Sequence, residues 1–86
     1  MKLAFCPFID LLSTDIPCVA DVSVEWELGS PKLVIDNILD STGKVSLMFN
    51  EDQLMSDLGY RLATMAEDDE RLLERAVEQD VFERAA

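Results

Sequence analysis

The side chains of this sequence that could do chemistry are almost all carboxylates. Glu67-Asp68-Asp69-Glu70 is the densest run, and Glu70, Glu74 and Glu78 continue it at four-residue spacing. On a helix such residues share one face, about 6 Å apart along the axis. A row of this kind imitates a line of backbone phosphates. The chemistry it offers is electrostatic: docking on a basic surface with fast, salt-sensitive association. Without a partner, the same row is the solvated face of an amphipathic helix. Like charges at this spacing cost a helix roughly 0.2–0.5 kcal/mol per pair. Glu67 with Arg71 and Asp80 with Arg84 are spaced to offset part of that cost.

The remaining constellations are weaker. Glu25 and Glu27 fall on one face of a strand, about 6.8 Å apart, a separation used in glycoside hydrolysis. No sugar site accompanies them, and an exposed strand face explains them. Asp40-Ser41-Thr42-Gly43-Lys44 has the flavour of a phosphate loop, yet Ile38 stands where glycine is required and Val45 where a hydroxyl is required. A hairpin turn is the better reading. Asp68-Asp69-Glu70 lacks the spacing of a calcium loop. Histidine is absent, which removes the commonest general base and metal ligand. Cys6 and Cys18 are the only cysteines. Both sit among apolar neighbours and read as reduced, buried structural thiols, with too few companions for zinc. No nucleophile–base pair or cofactor loop is visible, so the expectation is a protein without enzymatic activity, cofactor or metal.

Composition agrees with that direction. The chain has 86 residues, 18 acidic and 7 basic, for a net charge of −11. Residues 51–86 contribute −7 and residues 1–50 contribute −4. Direct binding to nucleic acid needs lysine and arginine against phosphate and is excluded. Anionic membrane surfaces repel such a chain. The apolar run Leu3 to Ile9 is short, carries Pro7 and ends at Asp10, unlike a secretory signal. No stretch approaches the ~20 apolar residues of a membrane span, and a cytoplasmic location is expected. With 49% hydrophobic residues, the chain has the material for a core that acidic tails lack.

The elements that must position the carboxylates follow from periodicity. Val22, Val24, Trp26 and Leu28 alternate with Ser23, Glu25 and Glu27, which predicts a half-buried strand with Trp26 facing the core. Gly29-Ser30-Pro31 is turn material, and Leu33 to Leu39 is a second strand. Asp40 to Gly43 forms a hairpin loop before a third strand at Val45, Leu47 and Phe49. Asn50 is the expected N-cap of a helix whose stripe is Leu54, Leu58, Leu62 and Met65. Gly59 weakens that helix by about 1 kcal/mol unless it permits close packing. Around Glu67 to Glu70 the spacing favours two helices, with Asp68 or Asp69 capping the second through Leu72, Leu73, Ala76 and Val77, over one helix of roughly 50 Å. Residues 1–20 open either on a short strand at Leu3-Ala4-Phe5 or on a helix begun by Pro7.

The expectation is therefore an α+β fold in a single domain over 1–86: a small antiparallel β-meander of about three strands covered by one or two C-terminal α-helices. Residues 1–20 form an apolar N-terminal segment, 21–49 the strands and 50–84 the acidic helical region. In size, charge and element order the chain resembles small accessory proteins encoded by bacteriophages and mobile elements. Some of these inhibit host nucleic-acid-binding machinery, CRISPR effectors included, by presenting DNA-like acidic surfaces. The resemblance implies an inhibitory binding protein that docks on a basic surface of a protein partner, such as a nucleic-acid-binding groove. It carries no motif and assigns no residue. From charge and spacing alone, the candidate docking residues are Glu67, Asp68, Asp69, Glu70, Glu74 and Glu78. The alternative is a structural module that forms a homodimer through its C-terminal helix.

Overall fold

The alternation read from Val22 onward begins earlier than expected, at Cys18, and builds the central strand of an antiparallel sheet. The computed structural model describes residues 1–85 as β1 (Lys2–Phe5), β2 (Phe8–Ile9), β3 (Thr14–Asp15), β4 (Cys18–Glu27), β5 (Ser30–Leu39), α1 (Gln53–Glu67) and α2 (Glu70–Ala85). The order in the main sheet is β1-β4-β5, all antiparallel, and β2 with β3 makes a small separate ribbon. Both helices pack against this sheet, so the architecture is α+β.

Two residues of β5 depart from simple alternation. Ile35 pairs with Val22 and Asn37 with Asp21, which leaves Asp36 as an extra, unpaired residue. This bulge resets the phase. Leu33 and Ile35 face the helices before it, and Ile38 faces them after it, while Asp36 is exposed. The β4–β5 connection is a two-residue turn in which Leu28 and Gly29 have φ of +50° and +81°. It fits the right-handed twist of the strands at the cost of holding a leucine in the left-handed region.

The third strand is not the expected one. Residues 45–49 form only an isolated bridge between Leu39 and Ser46, and Val45 and Phe49 are exposed. Lys2–Phe5 supplies the strand instead, on the far side of β4, with Leu3 and Phe5 buried opposite Ala20 and Cys18. The segment after Asp40 is shaped by side chains. The Asp40 carboxylate accepts from the Thr42 hydroxyl and from the amides of Lys44 and Val45, and these bonds, the Thr42 one foremost, hold it below the ordinary aspartate range. Ser46 donates to Asn37, and the Asn50 amide donates to the Ser46 carbonyl.

Asn50 does not cap α1. Its Oδ1 accepts from the Asp52 amide, and Asp52 is the N-cap, accepting from the amides of Leu54 at 2.9 Å and Met55 at 3.3 Å. The buried stripe of α1 is accordingly Gly59, Leu62, Ala63 and Ala66, while Leu54 is exposed. Gly59 does permit a close approach. A Cβ there would lie 2.5 Å from the Met48 nitrogen and 2.6 Å from the Leu47 carbonyl carbon.

One continuous core joins Leu3, Val22, Ile38, Leu62, Leu72 and Ala76, with Cys18 inside it. Cys6 is exposed, contrary to its apolar neighbourhood in the sequence, because it follows β1 on the outward phase. Both thiols are free. Burial pushes the Cys18 thiol up from 9.0 to about 11, and the nearby Cys6 adds to the shift. Cys6 should therefore react with iodoacetamide in the native protein, and Cys18 only after unfolding. Since the folded value lies above the unfolded one, the neutral thiol's contribution to stability is complete below the ordinary thiol range. It is lost as pH rises from 9.0 through about 11. Urea titrations across that range should show the decline, and Cys18→Ala should flatten it.

Candidate functional site

The acidic residues are distributed by the break between the two helices. Asp68 ends α1, with its amide donating to the Ala66 carbonyl. Asp69 starts α2 by accepting from the Leu72 amide at 2.9 Å. Asp69 is thereby half-buried and consumed as a cap, which removes it from the exposed row. The break also undoes an expected ion pair. Glu67 and Arg71 lie on different helices, so the four-residue spacing no longer brings them together, whereas Asp80 and Arg84 pair at 3.2 Å within α2.

Glu67, Asp68, Glu70, Glu74 and Glu78 are all exposed. Glu67 and Asp68 flank a groove of about 660 Å³ that runs beside β5 over Pro31, Leu33, Ile35 and Leu73; Glu25 and Lys32, opposite each other across the ladder, also line it and leave the groove net acidic. Glu74 and Glu78 border a neighbouring cleft against Pro31, Leu73 and Val77. Pro31 and Leu73 line both clefts, so the two acidic clusters meet at shared apolar ground. Among the described residues only two ion pairs form, Met1 amine with Asp21 and Arg84 with Asp80, and neither uses a carboxylate of these clefts.

Trp26 corrects another expectation. It holds the inward phase of β4 but lies near the hairpin end, where α2 covers it only in part. It is 39% exposed, and its indole nitrogen donates to Asp80 at 3.0 Å. Next to it, Leu28 is wholly exposed at the hairpin tip, and Val81 and Phe82 are exposed on α2. The alternation places Leu28 on the inward phase with Val22, Val24 and Trp26, but β4 ends at Glu27 and Leu28 belongs to the turn, a position that its place directly before Gly29 could have signalled. The folded surface is 5786 Å², against about 5,100 Å² for an average monomer of this mass. The radius of gyration is 13.3 Å against about 12 Å. The surplus reflects an elongated shape, with extents of 39 × 24 × 20 Å.

Among the described residues no group of three or more histidine, cysteine, aspartate or glutamate side chains converges as a metal ligand set. No helix among them is long and apolar enough to cross a membrane. Glu25 stands opposite Lys32 across the β4–β5 ladder, and Glu27 opposite Ser30, as an exposed strand face. The fold and surface together describe a small α+β protein with carboxylate-lined clefts beside β5 and α2. Comparison with family models, curated proteins and solved structures finds no match to this chain.

Proposed function

We propose that this chain is a non-enzymatic acidic binding protein that docks on a basic surface of a protein partner and occludes it. A nucleic-acid-binding groove is the kind of target that such a surface fits. The observation that carries the reading is the unpaired state of the carboxylates at the helix break and along α2: Glu67, Asp68, Glu70, Glu74 and Glu78 are exposed and take part in neither of the ion pairs among the described residues. Asp69 drops out of the docking set because its carboxylate caps α2. The repulsion that the row imposes on α2 is a local cost, and a partner's cations relieve it. The free thiols Cys6 and Cys18 accord with a reducing, cytoplasmic place of action.

The test is the triple reversal of Glu70, Glu74 and Glu78 to lysine, compared with the native protein for retention of partners from the source cell across a salt gradient. Native complexes should dissociate as salt rises, and the variant should lose affinity by roughly 100-fold or more, the scale of several close charge pairs. Duplex DNA added as a competitor should displace the native protein if the partner surface is a nucleic-acid groove. Equal affinity and an equal salt slope for the two proteins would end the electrostatic reading.

A second reading has its own observation. Val81 and Phe82 are exposed on α2 and Val77 is half-buried, an apolar strip suited to pairing with another copy. Sedimentation of the native protein separates the two readings, because a concentration-independent monomer is incompatible with the strip acting as a dimer seam.

A further inference from the structure

β5 is an edge strand whose middle is open. The two-residue turn makes Glu27 and Ser30 a hydrogen-bonded pair, so Lys32 and Val34 bond to β4 in turn. Pro31, Leu33 and Ile35 therefore aim their backbone groups away from the sheet. Pro31, with no N–H to offer, suits such a position. Further along, the edge is closed, since the Leu47 amide donates to the Ile38 carbonyl. The opposite edge is held by Arg75, which donates to the Ala4 carbonyl at 2.6 Å. Between Pro31 and Ile35, no other backbone segment or side chain among the described residues bonds to the outward groups. Leu33 and Ile35 line the groove of Glu67 and Asp68, and their outward N–H and C=O have no hydrogen-bond partner among the described residues.

We propose that this groove is a strand-addition site that receives an extended basic segment of a partner protein as a fourth strand beside β5. Backbone bonds to Leu33 and Ile35 supply the pairing. Alternate side chains of the segment point to the helix side, where long cations lay their stems over Leu33 and Leu73 and reach Glu67 and Asp68. The intervening side chains lie beside Val34 on the outer face. A second copy of this chain fits poorly as the occupant, because it would bring a further net charge of −11 to an acidic groove. The proposal deepens the docking reading, and rests on it for the sign of the partner's charge.

The test uses the nitrogen-15-labelled protein with two acetylated, amidated nonapeptides, one alternating Lys and Val and one alternating Thr and Val. Amide hydrogen exchange and chemical shifts are the readout. In the free protein the Leu33 and Ile35 amides should exchange quickly. The Lys–Val peptide should slow them by roughly tenfold or more, with an affinity that falls as salt rises. Glu67→Gln together with Asp68→Asn should weaken that peptide by roughly tenfold while leaving the free protein's spectrum intact. If the Lys–Val peptide binds in a salt-dependent way but shifts only α2, with Leu33 and Ile35 unprotected, strand addition is overturned and the docking reading survives. If the Thr–Val peptide protects both amides equally, a basic occupant of this groove is overturned, while the docking reading still rests on the reversal of Glu70, Glu74 and Glu78. Protection already present in the free protein, in a sample that sediments as a dimer, would assign the edge to a second copy and overturn the proposal.

Discussion

Gly59→Ala should lower stability by about 2 kcal/mol, the opposite of what the substitution does in an ordinary exposed helix. Alanine raises intrinsic helix stability by about 1 kcal/mol over glycine. Here the added methyl would stand 2.5 Å from the Met48 nitrogen, 2.6 Å from the Leu47 carbonyl carbon and 2.8 Å from the Met48 Cα. These are backbone atoms, so no rotamer change can make room. The surrounding chain is also fixed, because the Leu47 amide is bonded to Ile38 and the Met48 carbonyl accepts from the Ser56 hydroxyl. Overpacking of this kind costs about 1–3 kcal/mol, and its upper end less the helix gain leaves the stated value. In a chain of this size that corresponds to a fall in Tm of roughly 10 °C. Thermal unfolding followed by circular dichroism reads it directly, and a Tm equal to or above that of the native protein would disprove the close approach of α1 to residues 47–48.

Leu72→Ala should cost about 3–4 kcal/mol and should act first on α2. The side chain is 1% exposed, and α2 buries only Leu72 and Ala76 fully. Beyond those two and the half-buried Leu73, α2 is tied to the sheet by Arg75 to the Ala4 carbonyl and by Trp26 to Asp80. Both bonds are solvent-exposed and each contributes on the order of 1 kcal/mol. Large-to-small changes at buried leucines cost about 2–5 kcal/mol. The whole stability of a domain this small is about 4–13 kcal/mol. The variant should therefore release α2 before the rest unfolds, with part of the helical signal lost and proteolysis focused near 67–70. Leu62→Ala, at an equally buried position on α1, should instead lower the single global transition. Identical behaviour of the two variants would mean that α2 is no more separable than α1. Because α2 carries Glu70, Glu74 and Glu78, its release should also abolish salt-dependent docking.

The fold was legible where a pattern was both long and local. The alternation from Val22 to Trp26 marked the second half of β4, and Asp69 with Leu72 and Ala76 announced a second helix. The third strand was not legible, because Val45, Leu47 and Phe49 alternate better than Lys2 to Phe5 does. Pattern alone does not say which segment takes the place beside β4. The choice falls to tertiary packing: Gly59 draws residues 47–48 under α1, away from a full ladder. Trp26 was misplaced for a related reason, since strand phase tells which side a residue faces but not how completely a helix covers it: α2 meets Trp26 through Asp80 and leaves it 39% exposed. In the candidate site, spacing revealed the exposed row on α2, but the loss of Asp69 to capping depended on where the helix broke. The open backbone of Leu33 and Ile35 left no trace in composition, because an edge is a property of topology.

The bond from Arg75 to the Ala4 carbonyl spans 71 residues of sequence, and that separation has a kinetic meaning. During synthesis β1 can pair with β4 as soon as the first hairpin is complete, yet the guard of its outer edge is translated much later. Through that interval the nascent sheet presents raw margins on both flanks, a state that invites pairing with a neighbouring nascent chain. Release of α2 from the ribosome is the step that retires one of them. Closure over so long a stretch also raises the contact order, and refolding should be correspondingly slower for a chain with this much helix.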